Sequence, residues 1–238
     1  MARDWWELLF TAEIRSSLEP NFNKLVRLFP RTTSEMERNI LYSRNGGHPQ
    51  LAADVQRLIE NLGQLPEPVA EPAFIVVSGL PGTGKSYFCR QLAERLPVII
   101  LESDALRKGL FLSPTYSSPE SSRLFRACHL LIERLLKHGI SLIFDATNLS
   151  EGHREHLYSI ADRLDVRLVL VRVEAPPEVV YDRLKTRQEN AGSKSDADWA
   201  VYRRMKPSVQ GIRRNHYVVD TSRDIAPVIN KIVRQVSR

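Results

Sequence analysis

The residues best suited to chemistry form one continuous run after an apolar segment. They fit the pattern G-x-x-x-x-G-K-[ST] and read Gly79, Leu80, Pro81, Gly82, Thr83, Gly84, Lys85 and Ser86, with Tyr87 next in the chain. Glycines let the backbone turn tightly, so that successive N–H groups point at an anion, and a following helix adds its positive end. In this pattern Lys85 reaches the β- and γ-phosphates and the Ser86 hydroxyl ligates Mg²⁺. The run therefore predicts a nucleotide-binding loop at residues 79–87.

The flanks of this loop support that interpretation. An apolar, β-branched strand, Phe74 to Val77, precedes it, and a helix from Ser86 to Leu96 follows and stops before Pro97. The alternative is a glycine turn that contains Lys-Ser by chance. A strand before the loop and a helix after it are the context that the phosphate-binding pattern requires, so the alternative is disfavoured.

An acidic and a basic residue follow the second predicted strand, Pro97 to Leu101. Asp104 and Arg107 lie one turn apart on the same face of a helix that begins at Ser103 or Asp104. A carboxylate there can accept the proton of a hydroxyl that attacks a phosphoryl group, and the arginine can hold an anionic group. The alternative is that Asp104 only caps the helix. Its place at the end of a strand favours chemistry.

An acidic residue also follows the third predicted strand, Ile140 to Phe144. Asp145 occupies the position at which a carboxylate binds Mg²⁺ directly or through water. We expect Arg154 to point from the next helix toward the mouth of the sheet. Asn148 can cap that helix, and both Asn148 and Arg154 are candidates for binding a substrate.

Two arginines follow the fourth predicted strand, Arg167 to Val173. Arg183 and Arg187 share a helix face, and the polar segment around Gly192 breaks the helix as a hinged lid would. A lid over about residues 183–205 can bring arginine to a triphosphate and neutralise the charge of a transition state. The alternative is a pair of arginines on a solvated surface.

The elements that position these residues alternate between strand and helix. A fifth strand is predicted from His216 to Val219, and further helices at 121–138 and 152–164. Continuous apolar strands separated by helices indicate a parallel sheet covered on both faces, whose ligands bind beyond the carboxyl ends of the strands. We expect an α/β fold of the P-loop NTPase type, with a five-stranded parallel sheet and a lid.

A proline-rich segment divides the chain. Gln64 to Pro72 holds three prolines in nine residues, which favours an extended connector. We therefore expect a small N-terminal helical region at 1–63, a linker at 64–72 and a P-loop domain at 73–238. Trp5 and Trp6 either cover the protein's own core or anchor a partner or a second copy of the chain.

Positive charge is concentrated at the end of the chain. The net charge is +6, and residues 200–238 hold nine Lys/Arg against two Asp/Glu. Such a segment attracts polyphosphate or nucleic acid, although a solvated helix face gives the same composition.

Other features of the sequence bear on its location. No apolar run approaches the roughly 18 residues of a membrane span, and the N-terminus lacks the apolar core of a secretory signal. Cys89 and Cys128 have no metal-like spacing and are predicted to be reduced packing residues. We expect a cytoplasmic protein with no membrane partner.

Residues 73–238 resemble the P-loop phosphotransferases grouped around polynucleotide 5′-kinases, with zeta-toxin-like and other small AAA-type P-loop kinases as neighbours. The resemblance is carried by the loop at 79–86, by Asp104 with Arg107, by the segment 145–149 with Arg154, and by Arg183 with Arg187. It implies that Asp104 is the general base, that Arg107 contacts the substrate and that Arg187 acts on the phosphates. It also implies that the loop with Asp220 and Thr221 packs on adenine.

The resemblance implies an ATP- and Mg²⁺-dependent kinase that phosphorylates a hydroxyl. The preferred acceptor is the 5′-OH of RNA or DNA, because the final segment is basic and Arg107 can take a phosphate. A small acceptor such as a sugar nucleotide is an alternative. Another is an ATP-gated binding or assembly module that uses the N-terminal helices to hold a partner. ATP is favoured over GTP, since neither 174–177 nor 220–222 resembles the Asn-Lys-x-Asp motif of GTPases.

Overall fold

A five-stranded parallel sheet organises the computed structural model, which describes residues 49–189 and 197–237. The strands are β1 (Ala73–Ser78), β2 (Ile99–Glu102), β3 (Leu142–Asp145), β4 (Arg167–Glu174) and β5 (Tyr217–Asp220). The helices are α1 (Pro49–Glu60), α2 (Lys85–Ala93), α3 (Ser103–Leu110), α4 (Ser118–Lys137), α5 (Glu151–Leu164), α6 (Pro177–Glu189), α7 (Trp199–Met205) and α8 (Ala226–Val236). A short 3₁₀ turn, Lys206–Ser208, follows α7.

The strand order is β2-β3-β1-β4-β5, and every neighbouring pair is parallel. The register pairs Asp145 with Val77 on one side and with Glu102 on the other. The carboxyl ends of the three strands that precede the chemically interesting residues therefore lie side by side. The predicted α/β fold is confirmed. One detail differs, since Asp145 is the last residue of β3 rather than the first residue after it.

The sheet is covered by helices on both faces, as predicted. Side chains alternate along β1, so that Ile75 and Val77 point to one face and Phe74 and Val76 to the other. The first face packs against α2 and α8 through Phe88, Leu92 and apolar residues of α8. On the other face, α4 contacts β3 and α5 contacts β4. Residues of β1 are buried throughout, which explains its continuous apolar sequence.

Helix α1 packs against α3 and α4, on the side of the sheet edge that carries β2. The carboxylate of Asp54 accepts hydrogen bonds from Arg123 Nε at 2.7 Å and Nη2 at 2.6 Å, and Arg57 Nη1 donates to the Leu110 carbonyl at 3.3 Å. The division into 1–63, 64–72 and 73–238 stays a prediction. The described part of the N-terminal region lies against the P-loop domain, and Trp5 and Trp6 fall outside the described residues.

The two cysteines are free and buried. Burial raises the pKa of the Cys128 thiol to about 12, and it raises the pKa of Cys89 well above its ordinary value. Both are therefore neutral packing residues, as their sequence context predicts. None of the helices within 49–189 and 197–237 is long and apolar enough to cross a bilayer.

The ion pair between α1 and α4 should contribute to stability. Burial raises the pKa of Asp54, but hydrogen bonds from Arg123 and Gln50 outweigh it and leave the pKa below its ordinary value of 3.8. Asp54→Asn should lower the free energy of unfolding at neutral pH by about 1–2 kcal/mol. This is less than for a fully buried pair, because the Arg123 side chain is 40% exposed.

The pH dependence gives a second measurement of the same pair. A carboxyl whose pKa is lowered by folding stabilises the protein above the unfolded pKa, and that stability is lost as pH falls through the folded value. The difference between wild type and Asp54→Asn in urea unfolding should therefore shrink below about pH 3.8. Glu60→Gln, at an exposed position of the same helix, is the matched control. A constant difference across this range would argue against the pair.

Candidate active site

Glycine is required at three positions of the loop between β1 and α2, and at the first of them, Gly79, a Cβ would lie 2.3 Å from the Val173 carbonyl oxygen. Gly82 has φ +79° and Gly84 has φ +91°, in the left-handed region that side chains disfavour. A Cβ at Gly82 would lie 2.8 Å from Val180 Cγ1 and 2.9 Å from Leu184 Cγ, so α6 closes directly onto the loop. Gly84 is the N-cap of α2. The loop thus directs backbone N–H groups and a helix N-terminus to one point.

Thr221, which follows β5, fastens the same loop from the other side. Its Oγ1 donates to the Thr83 carbonyl at 2.6 Å and accepts from Arg183 Nη1 at 2.8 Å, while Arg183 Nη2 donates to the Thr221 carbonyl at 2.9 Å. Asp220 is placed differently, because its carboxylate accepts from the backbone and hydroxyl of Ser222 within its own turn. A contact with adenine therefore stays a prediction for both Asp220 and Thr221.

Lys85 lies between the loop and two carboxylates. Its Nζ donates to the Leu80 carbonyl at 3.0 Å, which also accepts from Thr83 Oγ1 at 2.8 Å. Burial lowers the pKa of Lys85, and the charges of Asp145 and Asp104 oppose that shift. Both carboxylates are therefore close enough to stabilise the ammonium, although they follow different strands.

The predicted magnesium ligands meet across the sheet edge. Ser86 Oγ donates to Asp145 Oδ2 at 2.7 Å, and Asp145 is buried at the end of β3. Mg²⁺ is bound in phosphotransferases by one or two protein oxygens together with waters and phosphate oxygens. A hydroxyl and a carboxylate that already converge beside the phosphate loop fit that ion.

A cavity of about 1300 Å³ opens over the carboxyl ends of the strands. It is larger than the roughly 300–1000 Å³ of a typical single-ligand pocket, so it has room for two substrates side by side. Its walls come from the phosphate loop, α3, α4, the end of β3, α6, α7 and the loop after β5. Among the residues that line it are Pro81, Gly82, Gly84, Lys85, Ser86, Tyr87, Asp104, Arg107, Asp145, Arg183, Arg187 and Thr221.

One wall of the cavity is formed by Arg107, which a set of contacts holds in place. Its Nη1 donates to Glu120, its Nη2 donates to Ser121 Oγ at 3.2 Å, and its guanidinium lies 4.7 Å above the centre of the Tyr116 ring. The side chain is buried but borders the cavity. A guanidinium has more N–H donors than these partners use, so it can still bind an anion.

Glu120 is a positioning residue that the sequence did not reveal. It accepts from the backbone N–H of Thr115 at 2.6 Å and its hydroxyl at 2.7 Å, and from the backbone N–H of Tyr116 at 3.2 Å. Burial opposes the shift, but these bonds and Arg107 lower the pKa of Glu120 to about 2. The helix was predicted to begin at residue 121, whereas α4 begins at Ser118 and places Glu120 in its first turn.

Other residues of the cavity wall were also missed, among them Arg90, Phe125 and Arg204. Arg90 lies one turn after Ser86 on α2, Phe125 lies one turn after Ser121 on α4, and Arg204 lies on α7. Arg90 could have been predicted from the sequence, because it lies one helical turn from Ser86, a residue already assigned to the site.

The structure corrects the expected place of Asn148 and Arg154, neither of which borders the cavity. Asn148 Nδ2 donates to the Val77 carbonyl at 2.8 Å. Arg154 is 1% exposed, and it donates to the carbonyls of Asn148, Leu149, Gln210 and Gly211 at 2.7–3.0 Å. The Arg154 side chain joins the loop after β3 to the segment after α7, and a role of either residue in binding a substrate stays a prediction.

The arginine predicted to act from a lid, Arg187, is placed near Lys85. Arg187 borders the cavity, and its charge contributes to the lowered pKa of Lys85. Further along, the Trp199 ring stacks on Tyr202 at 4.7 Å between centres, and Tyr202 packs with Val180 of α6. Helix α7 is thereby fixed to α6. The predicted hinge around Gly192 lies outside the described residues, so the lid of about 183–205 stays a prediction.

Comparison with known proteins agrees with this geometry. The family model described as an AAA domain, AAA_33, matches residues 74–212. The chain is 27% identical over 111 residues to the adenylyl-sulfate kinase of Myxococcus xanthus (strain DK1622), covering 45% of this chain and 60% of that protein. It is 33% identical over 116 residues to an adenylate kinase isoenzyme 6 homolog of Caenorhabditis elegans. That match covers 48% of this chain and 58% of the C. elegans protein.

The chain spans about 60% of the length of these two curated relatives. Among solved structures, the APS kinase CysC of Mycobacterium tuberculosis in complex with AMPPNP and APS superposes with a TM-score of 0.53 at 18% identity. That match covers 72% of this chain and 100% of the other. The similarity is one of fold.

A methyl group at position 82 tests the fit of the phosphate loop. Gly82→Ala forces alanine to φ +79° and places its Cβ against Val180 and Leu184. The strain of about 1–2 kcal/mol should weaken ATP binding about tenfold or more, measured by titration with a fluorescent ATP analogue. Gly63→Ala is the control, because no atom lies within 4 Å of the added Cβ. Equal affinities would mean that the loop relaxes around the methyl group.

The corrected role of Arg154 is testable by stability. Arg154→Met keeps most of the side-chain volume but removes a donor from four carbonyls and the charged partner of Glu151, so the free energy of unfolding should fall by about 2–4 kcal/mol in urea denaturation. Arg163→Met, at an exposed position of the same helix, should change it by less than about 1 kcal/mol. Unchanged stability together with a raised KM for an acceptor would instead restore Arg154 as a substrate contact.

Proposed function

Because the chain belongs to the AAA domain family AAA_33 and has the fold of the P-loop kinases, we propose that it is an ATP- and Mg²⁺-dependent kinase. It transfers the γ-phosphoryl group to a hydroxyl, and its preferred acceptor is the 5′-OH of a nucleic acid. The observation that carries the proposal is that Lys85, Asp104 and Arg187 border one cavity although they follow different strands. A phosphoryl donor and an acceptor need such groups on opposite sides of one space.

The donor half consists of the phosphate loop and the groups that hold it. Backbone N–H groups of residues 82–86 and the Lys85 ammonium bind the phosphates, and Arg183 and Thr221 border the nucleotide beyond them. ATP is the proposed donor because both curated relatives are named as kinases, and because the APS kinase of the same fold was solved with AMPPNP. Ser86 and Asp145 would hold Mg²⁺, which neutralises charge on the phosphates.

The acceptor half begins at Asp104. Its carboxylate takes the proton of the acceptor hydroxyl while the hydroxyl oxygen forms a bond to the γ-phosphorus. The bond between that phosphorus and the bridging oxygen breaks, and ADP leaves with the electron pair. Asp104 then releases the proton to water. Lys85 and Arg187 offset the negative charge that spreads over the transferring oxygens.

A nucleic-acid acceptor is preferred because Arg107 can bind the phosphate that follows its 5′-terminal nucleoside and because aromatic rings border the cavity nearby. Tyr116 and Phe125 border the cavity on the same wall as Arg107, where a base could stack. A small nucleotide-like acceptor is the second candidate, supported by the names of the relatives, an adenylyl-sulfate kinase and an adenylate kinase homolog.

Replacing the proposed base separates a kinase from an ATP-gated binding module. Asp104→Asn keeps the shape of the side chain but removes the proton acceptor, so transfer of labelled γ-phosphate should fall about 10²–10⁴-fold. Affinity for ATP should change little. The acceptors to be measured are 5′-OH RNA, 5′-OH DNA, tRNA, nucleosides and sugar nucleotides.

The control for this variant is Asp165→Asn, an exposed carboxylate in a left-handed position that asparagine tolerates. A binding module would hydrolyse ATP equally well with either variant and transfer phosphate to none of the acceptors. Transfer that survives Asp104→Asn at the wild-type rate would mean that another group is the base.

A further inference from the structure

A basic segment with no acidic residue begins at α7 and ends in β5. Residues 199–219 contain five Lys/Arg and no Asp or Glu. Arg214 is bound by Asp162, with N···O distances of 3.0 and 2.8 Å. Arg203, Lys206 and Arg213 are exposed, and no ion pair joins any of them to another residue in the ranges 49–189 and 197–237. We call these three side chains the basic ridge.

The basic ridge begins at the mouth of the cavity. Arg204 and Met205, which lie between the first two of its residues, border the cavity itself. The chain then leaves α7 through the 3₁₀ turn Lys206–Ser208 and stays exposed from Lys206 to Gly211 and again at Arg213. A ligand that extends out of the cavity at this point would pass along the basic ridge.

The segment that carries the basic ridge is fixed to the loop after β3. The Gln210 N–H donates to the Leu149 carbonyl at 3.0 Å, and the Glu151 N–H donates to Gln210 Oε1 at 2.6 Å. The buried Arg154 adds bonds to the carbonyls of Gln210 and Gly211 at 3.0 and 2.8 Å. The backbone between Lys206 and Arg213 is therefore held against the loop after β3. A surface held in place before binding loses less entropy when it binds.

We propose that the basic ridge binds the phosphate backbone of a single nucleic-acid strand whose 5′-OH end lies in the cavity. This rests on the proposed kinase function and adds that the acceptor is an oligonucleotide rather than a nucleotide. The three cations are exposed at successive points of one short segment of the chain, where they can contact successive phosphates of one strand. Val209 is the large apolar side chain exposed among residues 203–213, which is too little to insert into a lipid surface.

Acceptor length and salt concentration are the two variables on which binding to the basic ridge should depend. Each phosphate contact on a single strand contributes about 0.7 to the slope of log affinity against log salt. The basic ridge should therefore account for about 2 of that slope. A short acceptor that reaches only the cavity should not sense these three residues.

The experiment compares the full-length wild type with the triple variant Arg203→Ala/Lys206→Ala/Arg213→Ala. None of the three borders the cavity. Binding of 3′-labelled 5′-OH strands of about 4 and about 16 nucleotides is measured by fluorescence anisotropy over a range of salt, without ATP. The triple variant Arg163→Ala/Lys231→Ala/Arg234→Ala is the matched control, because it removes three exposed charges elsewhere.

The basic-ridge variant should bind the longer strand about 10–100-fold more weakly near physiological salt, with a salt slope lower by about 2. Its affinity for the shorter strand and for ATP should match the wild type, and the control should match throughout. Equal affinity of both variants for the longer strand overturns the proposal. The proposal is also overturned if the basic-ridge variant loses binding to anionic phospholipid vesicles while its binding to the strands is unchanged, because the surface would then be a lipid site.

The same proteins separate this proposal from the kinase function. If the wild type binds the longer strand more tightly, the basic-ridge variant loses that preference and no acceptor receives phosphate, the basic ridge is supported and the kinase function is contradicted. If the wild type and the basic-ridge variant transfer phosphate to both strand lengths with equal kcat/KM, the kinase function is supported and the proposal for the basic ridge is contradicted.

Discussion

The contact between α6 and the phosphate loop at Gly82 is the constraint on which the donor side depends. Val180 and Leu184 lie so close to the loop backbone that a single methyl group would collide with them. The same helix carries Arg183, which bonds to Thr221, and Arg187, which borders the cavity beside Lys85. Packing at one turn of α6 therefore sets where its arginines lie. The need for glycine in the loop is as much a matter of helix packing as of phosphate binding.

The proposed acceptor side of the cavity is organised by pairs of opposite charge rather than by glycine. Glu120 holds Arg107 and the loop that carries Tyr116, and Asp54 holds Arg123. Arginine that is fixed by a carboxylate and an aromatic ring keeps its remaining donors in one orientation, so less rotational entropy is lost when it binds an anion. Helix α1 takes part in this arrangement although it precedes the region that the family model matches, residues 74–212.

How much the sequence could predict depended on whether a feature is local. The phosphate loop, the strands and the placement of Asp104 beyond β2 follow from patterns within a few residues, and the fold was predicted correctly from them. Glu120 was missed because its role is a contact with Arg107 that no periodic pattern encodes, and because the start of α4 was placed too late. Helix boundaries are the least certain part of any such prediction.

The direction of the Arg154 side chain was also beyond what local sequence patterns could predict. Its position in the first turns of a helix beyond β3 was compatible with a substrate contact, and the sequence contained no sign of the carbonyls that it binds. Those carbonyls belong to two segments far apart in the chain, the loop after β3 and residues 210–211. Because buried carbonyls need donors, one arginine can join segments that no strand or helix connects. The loop that follows Asp145 and the segment that follows α7 are therefore held together, and a displacement of either would have to break the bonds of a fully buried guanidinium.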